Sequence, residues 1–178
     1  IDGIKALSMQ NPPMGNRILI VTNGGGFGVI VADHCSENGL EVPPPSPQLK
    51  EKLGSKFSAF YVVNNPVDLT GSACDSDYYI ALNACMIESD EYDAAIIIPL
   101  MAPQGMTEKV VDLITETMKR SRKPAVICTV GGAFTMKIKG LFEEREFPVY
   151  PSPERSARAM SMLLKRRVLQ EGAVRSAI

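Results

Sequence analysis

The chain has 178 residues, of which 45% are hydrophobic and 22% are charged, and its formal net charge is -1. This length suits one domain with a buried core, and so small a net charge gives no general attraction to nucleic acids or membrane surfaces. No apolar run approaches the roughly 18 residues that a membrane-spanning helix needs. We therefore expect no nucleic-acid partner and no membrane partner.

Apolar runs alternate with amphipathic stretches along the whole chain, which is the pattern of βαβ units. We predict strands at residues 17–22, 40–42, 93–100, 124–130 and 148–150. We predict helices near residues 2–9, 27–38, 48–53, 75–86, 107–120, 135–145 and 154–169. This content predicts a flavodoxin-like, doubly wound α/β fold with five mainly parallel strands in the order 2-1-3-4-5.

Proline and glycine residues suggest how the chain is divided. The segment 11–15, Asn-Pro-Pro-Met-Gly, has the composition of a linker. We therefore predict an N-terminal helix and linker over residues 1–15, a flavodoxin-like domain over 16–170 and a C-terminal tail over 171–178.

A glycine-rich loop, Asn23-Gly24-Gly25-Gly26-Phe27-Gly28, follows the first predicted strand. Its backbone N–H groups and the amino end of the next helix suit a phosphate or carboxylate, and Asn23 adds an amide at the lip. The loop is not a dinucleotide-binding fingerprint, because position 29 is Val and no strand-end acid follows about 20 residues later. The alternative is a tight turn in which the glycines serve only backbone geometry.

Other candidate residues follow neighbouring strands. In open parallel sheets, ligands bind beyond the carboxyl ends of the strands, where the strand order reverses. Pro103-Gln104-Gly105 follows the third predicted strand, and Gly131-Gly132 follows the fourth. Asp68 follows an extended run, although it could simply cap a turn, and Pro-Gln-Gly could be an ordinary turn. We predict phosphate or substrate binding by residues 23–26 and 103–105, with possible support from Asp68, Gly131 and Gly132.

The cysteine and histidine pattern argues against a metal site. The four cysteines, Cys35, Cys74, Cys85 and Cys128, form no closely spaced pair, and His34 is the only histidine. Structural zinc sites usually need such pairs. No secretory signal is evident, so reduced thiols in the cytoplasm are expected. We interpret the cysteines as small core residues and His34 as a packed or edge residue on its helix.

Several motifs together resemble the ligase-CoA domain of the NDP-forming, or ADP-forming, acyl-CoA and acetyl-CoA synthetases. The resemblance runs in order through residues 1–169. The matching motifs are Gly15-Asn16-Arg17 with Ile20–Gly26, Asn65–Gly71, Ala102-Pro103-Gln104, Lys123-Pro124, Pro148-Val149-Tyr150 and Pro153-Glu154-Arg155. A more distant likeness is to the C-terminal domain of the succinyl-CoA synthetase β subunit, which has a similar Asn-Gly-Ala-Gly loop.

The resemblance implies one domain of a larger, oligomeric enzyme that interconverts acyl-CoA, ADP and phosphate with acid, ATP and CoA. It implies CoA-binding and ATP-grasp domains as partners, on the same chain or another, and a phosphohistidine on another domain. No catalytic residue is then expected here. The parent enzyme would use ATP or ADP, Mg²⁺ and CoA, none of which this domain binds alone. By matched position, residues 23–26 form one wall of the phosphoryl or acyl-phosphate site, and Pro103, Gln104 and Gly105 open the opposing helix.

The chain also departs from the family. It has Gly26-Phe27-Gly28 where the family often has Gly-Pro-Gly. It lacks the CoA-binding domain, the ATP-grasp domain and the phosphohistidine motif, so we expect it to be inactive alone. Two alternatives stay open: a non-catalytic anion-binding or regulatory flavodoxin-like module, and a part of a fused protein acetyltransferase. FMN binding is disfavoured, because the first loop lacks a Ser/Thr-rich phosphate cradle.

Overall fold

The computed structural model describes the backbone of residues 2–175 and the side chains of residues 2–172. The strands are β1 (Ile18–Thr22), β2 (Val67–Asp68), β3 (Ala94–Ile98), β4 (Ala125–Cys128) and β5 (Val149–Tyr150). The helices are α1 (Asp2–Met9), α2 (Gly25–Glu37), α3 (Pro47–Gly54), α4 (Asp75–Leu82), α5 (Lys109–Ser121), α6 (Ala133–Glu144) and α7 (Pro153–Arg175). A π-helical segment, Asn83–Ile87, continues α4.

The five strands form one sheet in the order β2-β1-β3-β4-β5, and each of these pairings is parallel. This confirms the predicted flavodoxin-like α/β fold and its strand order. Thr22 pairs with Ile98 at the ends of β1 and β3, and Ile127 of β4 pairs with Ile97. The carboxyl ends of the three central strands therefore lie side by side at one edge of the sheet.

The sheet is buried on both faces, which explains its continuously apolar strands. On one face, Ile18 and Ile20 pack with side chains of α1, α2 and α7. On the other, Leu19 and Val21 pack with side chains of α3, α4, α5 and α6. Helix α2 and helix α6 thus cover opposite faces.

The predicted strand at residues 40–42 is wrong, although the strand order is right. Glu41 makes only an isolated parallel bridge with Arg17, in which the N–H of Ile18 donates to the Glu41 carbonyl oxygen at 2.7 Å. Prolines 43–45 follow at once, and proline has no N–H to continue a ladder. The chain returns to this side of β1 only at β2, which pairs with Val21 and Thr22.

Asn65 fills the gap between these two pieces of edge strand with its side chain. Its Oδ1 accepts from the N–H of Ile20 at 2.9 Å, and its Nδ2 donates to the carbonyl oxygens of Ile18 at 2.8 Å and Pro43 at 3.0 Å. The side chain therefore replaces the backbone groups that a longer edge strand would supply. Asn65 is 7% exposed, so water does not replace its side chain as a hydrogen-bond partner of these backbone groups.

Helix α1 is bonded to β5 and to the start of α7. The hydroxyl of Tyr150 donates to the carbonyl oxygen of Asp2 at 2.7 Å, and Arg155 Nε donates to the Asp2 carboxylate at 2.7 Å. Helix α7 continues to Arg175 through part of the predicted tail, whose residues 176–178 lie outside the described residues. The division at residues 15 and 170 stays a prediction.

An ion pair joins β1 to the start of β3 at the amino edge of the sheet. Arg17 Nε and Nη2 donate to the two carboxylate oxygens of Asp93 at 2.9 and 2.8 Å. Gly15 belongs to the same cluster, because a Cβ there would collide with the Asp93 carboxylate. Burial raises the pKa of Asp93, but hydrogen bonding and the charge of Arg17 outweigh it and hold the pKa below its usual range.

This ion pair gives a pH-dependent contribution to stability. Because the folded-state pKa of Asp93 is lowered, the contribution is present above the unfolded-state pKa, about 3.9, and is lost as the pH falls through the folded-state value. We expect Asp93→Asn to remove about 1 kcal/mol of the stability difference between pH 7 and pH 3. Urea unfolding at both pH values tests this, with the exposed Asp90→Asn as control. An unchanged pH dependence in Asp93→Asn would contradict the prediction.

Candidate functional site

The candidate site lies at the carboxyl edge of the sheet, where the loops after β1, β3 and β4 emerge next to one another. Residues 23–26 and 103–105 leave this same edge, as predicted, because β1 and β3 are neighbours that run in parallel. The β4 loop lies on the other side of the β3 loop.

The β1 loop begins α2 earlier than predicted. Helix α2 starts at Gly25 rather than near Phe27, and Gly24 is its N-cap, without a side-chain cap. The N–H of Gly24 donates to Thr22 Oγ1 at 3.0 Å, and those of Phe27 and Gly28 donate to the Gly24 carbonyl oxygen. Within the described residues, the N–H groups of Gly25 and Gly26 have no bonded acceptor, so the amino end of α2 has free donors.

The three glycines of this loop have different amounts of space around them. A Cβ on Gly24 would come within 2.5 Å of Leu100 Cδ1, and one on Gly25 would collide with the carboxylate of Asp68. A Cβ on Gly26 would meet no atom within 4 Å. Close packing therefore explains Gly24 and Gly25, whereas Gly26 is open to whatever approaches the helix end.

Asn23 differs from the expected free amide at the lip. The residue is buried, and its Nδ2 donates to the carbonyl oxygen of Leu100 at 2.8 Å while its Oδ1 accepts from the Leu100 N–H at 2.9 Å. From the other side, Thr129 Oγ1 donates to the carbonyl oxygen of Pro99 at 2.7 Å. These two side chains hold the end of β3 between the β1 and β4 loops.

Asp68 ends β2 and does lie beside the glycine-rich loop. Its Oδ1 accepts from the N–H of Thr70 at 2.9 Å, as in a turn-capping aspartate, and its Oδ2 is the atom that faces Gly25. A carboxylate here suits the positive end of the α2 dipole. Both interpretations of Asp68 are thus compatible with its place.

The segment Pro103-Gln104-Gly105 does not open α5, contrary to the family-based expectation. It forms a turn in which the N–H of Met106 donates to the Pro103 carbonyl oxygen at 3.1 Å, and α5 begins only at Lys109. Gly105 packs against the chain before α4, and a Cβ on Gly105 would lie only 2.8 Å from the carbonyl oxygen of Ala73. The start of α5 is reached instead by Asp75, which accepts from the N–H of Thr107 at 2.8 Å. Gln104 is exposed, and its binding role stays a prediction.

The second open helix end at this edge belongs to α6. Gly132 is its N-cap, again without a side-chain cap, and a Cβ on Gly132 would meet no atom within 4 Å. Gly131 has a φ of 154°, which side-chain-bearing residues rarely adopt. The amino ends of α2 and α6 therefore flank the carboxyl edge from opposite faces of the sheet.

Two cavities adjoin the β4 loop. One, of about 500 Å³, is lined by residues 100–102 and 130–135. The other, of about 190 Å³, is lined partly by Thr129, Lys139 and Tyr150. They share Val130, Gly131 and Thr135 in their linings, so open space surrounds the start of α6.

Cys35, Cys85 and His34 lie away from this edge, whereas Cys128 ends β4 and is buried. Cys74, which is partly buried, precedes α4 and lies beside Gly105. Burial raises the pKa of Cys35 and of Cys85 to about 12, which fits core thiols rather than nucleophiles. His34 Nδ1 lies 2.8 Å from Glu37 Oε2 on the same helix. Among the described residues, no three His, Cys, Asp or Glu side chains are grouped to hold a metal ion. None of the helices described has the length and hydropathy needed to cross a bilayer.

Sequence reasoning missed the residues that organise the edge. Thr129 and Leu100 were not singled out, and Asn23 was assigned to the ligand rather than to the fold. One signal was available: Thr22, Asn23 and Thr129 are polar residues placed directly after fully apolar runs. Such residues at strand ends commonly bond neighbouring loops.

The sequence model of the Ligase-CoA domain matches residues 18–159. The α subunit of acetate–CoA ligase [ADP-forming] I from Pyrococcus furiosus is 32% identical over 167 residues, covering 92% of this chain and 36% of that subunit. The α subunit of its acetate–CoA ligase [ADP-forming] II is 31% identical over 159 residues, covering 88% and 35%.

Among solved structures, the dinucleotide-forming acetyl-coenzyme A synthetase 1 of Ca. Korarchaeum cryptofilum in complex with phosphate and ADP superposes with a TM-score of 0.86. It is 29% identical, and the match covers 99% of this chain and 38% of the synthetase chain. The present chain thus spans little more than a third of the length of each of these relatives.

Proposed function

The chain belongs to the Ligase-CoA domain family, and from this membership we propose that it is one domain of an ADP-forming acid–CoA ligase. The whole enzyme would convert acyl-CoA, ADP and phosphate to acid, ATP and CoA. CoA-binding and ATP-grasp domains would complete it in the cytoplasm, and they would bring the phosphohistidine, CoA, the nucleotide and Mg²⁺. This domain would then bind and orient without supplying a catalytic residue.

The observation that carries the proposal is the open amino end of α2 at the carboxyl edge. The N–H groups of Gly25 and Gly26 have no acceptor within the described residues, and the space above Gly26 is empty. Helix amino ends favour phosphate because donors and the helix dipole act together. The start of α6 at Gly132 flanks the same edge, so both ends would stabilise the negative charge of a phosphoryl group or acyl phosphate.

This domain would contribute electrostatics that are fixed before the ligand arrives. Asn23 and Thr129 hold the end of β3 rigidly between the two helix ends. Fixed donors need no reorganisation when charge develops, which is why such arrangements lower barriers. Asp68 would oppose an anion at Gly25 unless a cation accompanied it, which is compatible with a magnesium-dependent parent enzyme.

A charge placed on Gly26 tests the proposal. We expect Gly26→Asp to lower turnover about tenfold relative to the equally large but neutral Gly26→Asn, because the added carboxylate repels the phosphoryl group. Stability should be equal or higher in Gly26→Asp, since an acid in the first turn suits the helix dipole. The assay is ADP- and phosphate-dependent release of acid from acetyl-CoA, using the chain reassembled with its CoA-binding and ATP-grasp domains. Equal turnover of the two variants would count against a phosphoryl site at this loop.

A further inference from the structure

A cavity of about 370 Å³, named here the amino-edge cavity, opens at the amino edge of the sheet, opposite the candidate site. Three chain segments enclose it: the end of α1, the passage from α5 into β4, and the passage from α6 into β5. Sites for small molecules usually have volumes of roughly 300–1,000 Å³. The size of the amino-edge cavity therefore suits one small ligand.

Hydrogen bonds within the chain fix the walls of this cavity. Gln10 Oε1 accepts from the N–H of Ala125 at 3.0 Å, and Gln10 Nε2 donates to the carbonyl oxygen of Glu146 at 2.7 Å. This one amide therefore joins all three enclosing segments. Arg145 Nε and Nη2 donate to Asp112 Oδ1 at 3.0 and 2.7 Å. The shape of the cavity is thus set before a ligand arrives, which lowers the entropic cost of binding.

The lining is rich in positive charge. Five of the lining residues are charged, four of them cationic and one acidic: Lys119, Arg122, Lys123, Arg145 and Glu146. Arg145 is paired as described, and Lys123 Nζ donates to the carbonyl oxygen of Ser89 at 3.1 Å. Among the described side chains, the Lys119 ammonium and the Arg122 guanidinium have no bonded acceptor. These two cations are free to bind an anion, and such a pair suits phosphate oxygens.

The deeper part of the lining is apolar. Met118 and Phe147 are 1% and 2% exposed, and the partly buried Met9 lies beside them in the lining. Thioether and aromatic groups pack well against flat, polarisable ligands. A ligand that used all of this lining would carry an anionic group on a planar or apolar body.

We propose that the amino-edge cavity binds a small organic phosphate of about the size of a nucleoside monophosphate. Lys119 and Arg122 bind the phosphate, and Met9, Met118 and Phe147 contact the body of the ligand. A phosphate monoester carries a charge of about -1.5 to -2 at pH 7 and has three acceptor oxygens, which matches two unpaired cations. The proposal goes beyond the proposed function and does not depend on it.

Titration of adenosine monophosphate into the chain, followed by calorimetry, tests the role of the charges. We expect Arg122→Gln, and separately Lys119→Gln, to raise the Kd about tenfold, because each removes a charged hydrogen-bond donor. Glu146→Gln should lower the Kd about threefold, because it removes the one carboxylate of the lining. Arg120→Gln is the matched control. It removes the same charge from an exposed residue of the same helix that does not line the cavity, so the Kd should change less than about twofold.

Methyl NMR of the methionines locates the ligand. Adenosine monophosphate should shift the methyl signals of Met9 and Met118. Adenosine lacks the phosphate and inorganic phosphate lacks the body, so each should need a concentration higher by about fivefold or more for the same shift. The shifts should persist in Gly26→Asp, which places a negative charge at the opposite edge of the sheet.

The outcomes separate this proposal from the function proposed above. An unchanged Kd in both Arg122→Gln and Lys119→Gln overturns it, and so do Met9 and Met118 signals that do not respond to adenosine monophosphate. Binding that is lost in Gly26→Asp would assign the nucleotide to the glycine-rich loop and would also overturn it. Absence of ligase activity in the reassembled enzyme would refute the proposed function alone, because the calorimetry and the NMR do not use that activity.

Discussion

Asn65→Ala should destabilise the domain by about 3 kcal/mol, the largest loss expected from a single polar side chain here. The substitution removes three hydrogen bonds and leaves the Ile20 N–H and the Ile18 carbonyl oxygen unpaired in a buried place. Unpaired buried backbone groups each cost on the order of 1–3 kcal/mol. Such a loss is a large fraction of the about 5–15 kcal/mol that stabilises a typical domain.

Urea unfolding followed by circular dichroism measures this loss, and the neighbouring residue supplies the control. Asn64 is exposed, so Asn64→Ala should change the free energy of unfolding by less than about 0.5 kcal/mol. The two variants carry the same Asn→Ala substitution at neighbouring positions. Similar free energies for both would show that the Asn65 side chain does not hold the sheet edge together.

Asn23→Ala should cost about 2 kcal/mol and should loosen the site locally. The variant loses both bonds to the Leu100 backbone, at 2.8 and 2.9 Å. Because those bonds fix the β3 loop to the β1 loop, we expect the Leu100 amide to exchange its proton with solvent at least tenfold faster. In the reassembled enzyme, turnover should fall further than stability alone explains, since the helix ends would no longer be held in one geometry.

Amide hydrogen exchange with mass spectrometry or NMR measures the local effect, and urea unfolding measures the global one. Asn38→Ala is a suitable control, because the Asn38 side chain donates one bond, to the carbonyl oxygen of His34 at 2.8 Å, on the far part of α2. It should lose less than about 1 kcal/mol without faster exchange at Leu100. If Leu100 kept its protection in Asn23→Ala, the role assigned to this amide would be refuted.

The fold was predictable because its signals are local. Continuous apolar runs mark β1, β3 and β4, and the amphipathic stretches between them require parallel strands with crossovers. The edge strand was not predictable in the same way. Residues 40–42 have a better strand composition than the two-residue β2, and what decides between them is a side chain, Asn65, acting at a distance of 45 residues from Ile20.

The site was predictable at the level of loops but not of atoms. Parallel topology places the loops after β1, β3 and β4 at one edge, and this needs no knowledge of side chains. Which helix ends stay open depends on tertiary neighbours: Asp75 reaches the start of α5, whereas Gly132 leaves α6 uncapped. The three consecutive glycines look equivalent in sequence, yet Leu100 and Asp68 explain two of them and only Gly26 is unobstructed.

Both outer margins of the sheet are poor templates for a foreign strand. At the β2 margin, the N–H and carbonyl oxygen of Asp68 are already bonded to Val62, and a side-chain amide and three prolines replace the rest of the edge strand. Strand β5 is two residues long and lies between Pro148 and Pro151. Neither margin presents a long row of free N–H and C=O groups, which is what chains use to join edge to edge into aggregates. The same broken margin that escaped prediction therefore keeps copies of the domain from adding to one another's sheets at high concentration.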